Sequence, residues 1–197
     1  PNEIDPAIGG REGFDSMAAA RKQAGMGRIL DIVPNHMSTS LENRWWRDVI
    51  EHGGQSRYAA YFDIDWSRPL TLPFLGDTFE AELERGTITL KRDSVTNSAA
   101  LVYYDTAYPL NPGTYAEGKS IAEIHEAQSW RLMSWREAPK QLSWRRFFEI
   151  TGLVGVRVED EAVFADTHHL IVELVHSGVV DVLRIAHVAG LADPLGY

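Results

Sequence analysis

No cysteine occurs among the 197 residues. That excludes a disulfide scaffold and a thiolate zinc site, and it accords with a cytoplasmic setting. No apolar run approaches the roughly 18 residues a membrane helix needs, so no membrane partner is expected. Positive charge is scarce: 19 Lys and Arg stand against 28 Asp and Glu, a net charge of −9. The balance argues against nucleic acid and against an anionic membrane surface, but not against a neutral ligand such as a sugar. The opening segment, PNEIDPAIGG, has neither the basic start nor the apolar stretch of a signal peptide. It also lacks a methionine, so the chain is expected to start inside a longer reading frame. Repeats, low-complexity segments and long linkers are absent, and no cofactor or metal is expected.

What is present is an ordinary globular balance, 44% hydrophobic and 24% charged, at a length that suits one large domain or two small ones. Residues 11–24 read as a helix, with Phe14, Met17, Ala18, Arg21 and Ala24 at helical spacing and Gly25 as its stop. RILDIV (28–33) is a short apolar run ended by Pro34, as for a parallel strand covered on both faces. Asp160 can cap a second helix over 161–177, with Val163, Phe164, Ile171, Leu174 and Val175 as its apolar stripe and Gly178 as its stop. VVDVLRI follows as a strand. A helix and then a strand at each end of the chain is the repeating unit of an α/β fold. Between them, LTLPFLG (70–76), TITLKRD (87–93) and ALVYYDTAYPL (100–110) each read as one strand, and 120–138 reads as a helix. All six tryptophans fall in this middle region.

Arg184 interrupts the last strand, and a buried arginine is costly unless an anion meets it. Strand side chains alternate, so Ile29, Asp31 and Val33 share one face and Val182, Arg184 and Ala186 share another. If the two strands are parallel neighbours, Asp31 is the anion expected to face Arg184 in a buried pair, either as a structural salt bridge or as part of a site. His36, in PNH, and His187 both fall at the C-terminal ends of strands, where ligands bind in α/β sheets and barrels. His168 and His169 read as packing and surface, and His52 and His125 lack evident partners. Asp63 and Asp65 are too few for a cation site. Most of the tryptophans read as core rather than as sugar-stacking platforms.

GRILDIVPNHMS resembles the first conserved region of the α-amylase superfamily, glycoside hydrolase family 13. NRWWRDVIEHGGQSRYAAYFDIDW, LTLPFLG, VYYDTAYPLNPGTY, WRRFFEITGLVGVRVEDEAVF and LRIAHVAGLADPLGY narrow the likeness to the maltooligosyl trehalose synthases and extend it over essentially the whole chain. The resemblance implies a (β/α)8 barrel of which this chain holds about two strand–helix units. Residues 1–36 and 159–197 would be barrel segments, and 37–158 a large mixed α+β insertion. It implies an isomerase whose family converts the reducing-end α-1,4 linkage of a maltooligosaccharide to an α,α-1,1 trehalose linkage, with retaining chemistry between two carboxyls. By the same resemblance, His36 binds a hydroxyl of the sugar being cleaved. Asp31 holds Arg184, Arg184 orients the nucleophile, and His187 borders the acceptor sugar. The family's nucleophilic Asp stands where this chain has Ala186, so no catalytic set is complete. Val182 replaces a usual Gly, Ala189 a usual Asp, and Trp144 a usual Tyr. The general acid belongs to a later strand.

The expectation is therefore a maltooligosyl trehalose synthase homologue, read as a fragment and inactive as it stands. Its partner would be a maltooligosaccharide or α-glucan, and it would self-associate through open barrel edges. The alternatives are a non-catalytic α-glucan-binding module or pseudoenzyme, and a structural remnant without a ligand.

Overall fold

The computed structural model describes residues 2–94 and 96–197. Along the chain run α1 (Gly10–Gln23), β1 (Ile29–Ile32), β2 (His36–Ser38), α2 (Arg44–His52), β3 (Leu70–Leu75), α3 (Phe79–Glu84), β4 (Ile88–Arg92), β5 (Ala99–Tyr103) and β6 (Thr106–Pro109). Then come α4 (Ile121–Glu126), β7 (Trp130–Ser134), α5 (Ala138–Gln141), β8 (Arg146–Phe147), β9 (Ile150–Gly155), α6 (Glu161–His176) and β10 (Val182–Ile185), with short 3-10 turns between. The chain divides into two compact units: the segment up to Asn35 together with Arg157–Tyr197, and His36–Val156.

The first unit is two helix-to-strand segments. β1 and β10 pair in parallel, Ile29 opposite Val182 and Ile32 opposite Ile185. α6 begins where the Asp160 carboxylate accepts the Ala162 and Val163 amides, satisfying donors that a helix start leaves bare. Both helices end at a glycine in the left-handed region, Gly25 and Gly178, each at φ +68°. α1 is tied to α6 by Arg11, which bonds Asp15 within its own helix and reaches Glu173 at 2.7 Å. The expected cover on both faces of β1 is not found. Its residues alternate between exposed and half-buried: among the described residues β1 and β10 have only each other in their sheet. No further layer encloses them as the core of the second unit encloses the two-stranded β3–β7 sheet, whose Leu70, Leu72 and Leu75 are buried.

The second unit carries the core. Trp46 on α2 is fully buried, its ring edge-on to Phe62 at 5.3 Å and to Trp144 at 5.6 Å. Trp130, Leu70, Leu72, Leu101 and Ile124 are buried as well. Two segments fold otherwise than their sequence pattern suggests. Residues 100–110 form not one strand but the β5–β6 hairpin, turning at Tyr104 and Asp105. Residues 120–138 are not one helix. A capping box between Ser120 and Glu123 starts α4, and the chain then extends as β7, parallel to β3. Local helix propensity there yields to a strand pairing that buries Trp130 and Leu132. β9 is the centre of a further sheet between β2 and β8, and β5 lies between β4 and β6.

Candidate functional site

The parallel register sets Asp31 directly opposite Arg184. With like parity their side chains share a face, and Arg184 Nη1 donates to Asp31 Oδ2 at 2.5 Å. The pair forms as the residue spacing implies, but it is not buried: the side chains are 65% and 54% exposed. Water reaches both, so the large desolvation cost expected of an arginine in this strand does not arise.

Beyond that pair the two strand ends are clamped together. The Ala186 amide donates to the Ile32 carbonyl at 2.9 Å, extending the ladder one step past β10. Ala186 follows Arg184 by two residues, so continued strand parity puts its methyl group on the face of the guanidinium. His187 then leaves the strand in the left-handed region, φ +59°, a conformation uncommon for a residue with a side chain and frequent where a loop is shaped for a purpose. The buried Asn35 side chain donates to the His187 carbonyl at 3.0 Å. A Cβ at Gly190 would come within 2.6 Å of the Asn35 amide nitrogen, so only glycine lets the 188–190 turn lie this close. Asn35 and Gly190 were not singled out as site residues from the sequence. Their position inside PNH and just after His187 was the available signal.

His36 belongs to the second unit. It opens β2 opposite Gly155 of β9, and its ring stacks on Phe147 of β8 at 4.1 Å. Phe147 in turn meets Phe148 at 4.4 Å. Phe148 is exposed, at φ +50°, at the turn between β8 and β9. This aromatic run was not read from the sequence, where RRFF showed only two adjacent phenylalanines.

The remaining histidines and acids have local roles. His168 is buried: its Nδ1 meets the Phe164 carbonyl at 3.0 Å, its Nε2 meets the Tyr197 hydroxyl at 2.7 Å, and burial lowers its pKa. His169 is exposed. His125 is buried against Phe79 at 3.8 Å, and its Nε2 accepts the Leu132 amide at 2.9 Å. Burial lowers its pKa to about 4, with Arg131 acting in the same direction and Glu80 against. His52 rests on Asp48, one turn back in α2. Asp63 pairs with Arg145 at 2.6 Å. The Ser67 hydroxyl and amide hold the Asp65 carboxyl below the usual range. Asp193, in the final loop, accepts the Gly196 amide at 2.9 Å. Trp46, Trp130 and Trp144 are core, Trp45 stacks on Tyr58 at 5.1 Å, and Trp135 is exposed.

Residues 2–87 match the family model of the α-amylase catalytic domain. A putative maltooligosyl trehalose synthase of Mycobacterium tuberculosis is 37% identical over all of this chain. The solved maltooligosyltrehalose synthase of Arthrobacter ramosus superposes with a TM-score of 0.87, at 43% identity over 99% of the chain. An intracellular maltogenic amylase of Bacillus subtilis is 40% identical over 34% of the chain. The chain spans about a quarter of the length of the two synthases, 25% in each case. With PNH at the end of a strand whose Asp meets an Arg on the next, and with likeness over its full extent, the chain is a homologue of one quarter of maltooligosyl trehalose synthase, within the α-amylase family.

Proposed function

We propose that this chain binds a maltooligosaccharide or related α-1,4-glucan and, by itself, does not transfer glucose. In this reading β1 and β10 are neighbouring strands of a (β/α)8 barrel, and α1 and α6 are the helices leading into them. Residues 37–158 are the insertion between them, 1–36 and 159–197 being the barrel segments. The observation that carries the reading is the Asp31–Arg184 pair across two parallel strands, with Ala186 on the same face. In a retaining transfer a carboxylate next to that guanidinium attacks the anomeric carbon, while a second carboxylic acid protonates the departing sugar oxygen. Arg184, held by Asp31, is the group that would steady such a carboxylate, and Ala186 supplies none. His36 on its aromatic stack would contact the donor sugar, and His187 would border the acceptor. The lack of cysteine supports a cytoplasmic setting. Among the described residues no helix is long and apolar enough to cross a membrane.

The exposed β1–β10 edges support a further part of the reading, association of copies through them. The test of the main proposal is twofold. Calorimetric titration with maltopentaose should give a binding isotherm. The chain and its Ala186→Asp variant should both form no maltooligosyl trehalose above a buffer control, because a restored nucleophile still lacks its acid partner, and general acid catalysis is worth roughly 10²–10⁴-fold. Product from either protein, or no binding, overturns it.

A further inference from the structure

The second unit holds a cavity of about 340 Å³, distinct from the strand pair of the first unit. That is near the lower end of the ~300–1,000 Å³ typical of ligand pockets. Tyr103 and Tyr108, both buried, and half-buried Phe74 line it, with Thr39 and Ser40 just past the end of β2. Exposed Tyr104 lines it too. Among the described residues no charged side chain lines it.

Tyr104 is unusual on two independent grounds. It is 70% exposed, and its ring packs edge-on against Tyr103 at 4.6 Å and 68°. It also sits at φ +49° at the first position of a two-residue hairpin turn. Glycine and asparagine are the residues that take such a position without strain, and a bulky aromatic there is an outlier. A tyrosine that costs backbone strain and buries little of its ring adds nothing evident to the stability of the hairpin. Strain of this kind, kept by the surrounding structure, is characteristic of binding positions.

We infer that Tyr104, with Phe74 and the hydroxyls of Thr39 and Ser40, forms a sugar-binding subsite that takes a glucose unit of the glucan. Sugar rings have an apolar C–H face and a rim of hydroxyls. Aromatic faces bordered by neutral hydroxyls match both, and the uncharged lining excludes the need for an ionic ligand. The inference rests on the glucan-binding reading and adds to it a residue that lies within VYYDTAYPLNPGTY but to which the sequence reading gave no role.

The test is titration with maltopentaose of the intact chain and of three variants, with the thermal unfolding midpoint measured on each. Tyr104→Gly and Tyr104→Asn remove the ring but suit the left-handed backbone, so their unfolding midpoints should hold or rise while affinity falls roughly tenfold, the scale of one lost aromatic contact. Tyr104→Phe keeps the ring and should keep most of the affinity. If the intact chain binds and the glycine and asparagine variants bind equally well, Tyr104 is a structural turn only: the subsite is overturned while the glucan reading stands. If the intact chain does not bind maltopentaose, both fall.

Discussion

The second unit closes over its apolar residues; the first leaves many of them in water. Trp46, Trp130, Phe62, Leu70 and Leu101 are at most 1% exposed, whereas Ile29 is 67% exposed, Val182 52% and Met17 44%. In the first unit the buried apolar residues among those described are Val158, Val163, Leu174, Val180 and Leu191. The contrast follows from architecture. The two-stranded parallel β3–β7 sheet is packed within the core of its own unit, with Leu70, Leu72 and Trp130 buried, whereas the two-stranded parallel β1–β10 sheet lacks cover of that kind. β1 and β10 have each other and little else. The unit that carries the Asp31–Arg184 pair is thus the more exposed of the two, and the unit that carries His36 and Tyr104 holds the larger buried core.

The largest expected effect sharpens that contrast. Trp130→Ala should cost the second unit ~3–5 kcal/mol, as for a large aromatic deleted from a packed core. Ile29→Ala, at an exposed strand position, should stay within about 1 kcal/mol. All six tryptophans lie between residues 45 and 144, so tryptophan fluorescence in urea follows the second unit alone, and far-ultraviolet dichroism follows both. Equal losses in the two variants would break the comparison.

Next comes acid. His125 must be neutral for its Nε2 to accept the Leu132 amide, and burial lowers its pKa to about 4 from an ordinary 6.5. A histidine whose folded pKa is depressed takes up its proton more readily when unfolded. The second unit should therefore lose stability as pH falls from about 6.5 to about 4, with no further loss from this group below that. Burial shifts His168 in the same direction, partly offset by the bond between its ring and the Phe164 carbonyl, so the first unit should weaken in the same sense. NMR titration of the ring protons checks both, and a His125 midpoint near 6.5 contradicts the buried, acceptor role.

Association is the third expectation. If copies meet through the β1–β10 edges, Ile29→Lys and Val182→Lys should shift light scattering toward the monomer at a given concentration, because a lysine on an edge strand opposes pairing. A wild-type chain that is monodisperse and monomeric across a wide concentration range removes this part of the proposal.

The end segments were the most legible parts of the sequence. Asp160, Gly178, Gly25 and Pro34 punctuate periodic apolar runs, and local chemistry alone bounds α1, β1 and α6. The register between Asp31 and Arg184 could be anticipated from parity, but their exposure could not, because burial depends on what the rest of a sheet supplies. The β5–β6 turn was hidden because Tyr104 and Asp105 carry none of the Asn-Gly or Asp-Gly signature that marks a tight hairpin. β7 was hidden because Leu132 and Met133 favour helix, and pairing with β3, far away in sequence, decides otherwise. His36 was read from its motif, but its ring partner Phe147 lies beyond any local pattern. The same holds for Tyr104, whose significance is a backbone angle.

The smallest expected effect bears most directly on the contrast between units. Had Asp31 and Arg184 been buried, removing one partner would cost ~3–5 kcal/mol, chiefly through the charge left behind. In this structure both side chains are more than half exposed, and exposed pairs contribute ~0.2–1 kcal/mol. Asp31→Asn, Arg184→Gln and the double variant, compared by urea unfolding in dilute solution, should give a coupling energy in that lower range. Far-ultraviolet dichroism is the signal to use, because tryptophan fluorescence does not follow this unit. The coupling should also shrink in salt, since the pair is open to screening. Repeating the cycle at high protein concentration separates two pictures. If the coupling stays small, the pair is a surface feature of an open strand pair. If it rises several-fold with concentration, copies of the chain are covering β1 and β10, and the first unit finds in its own kind the neighbours that a parallel sheet requires.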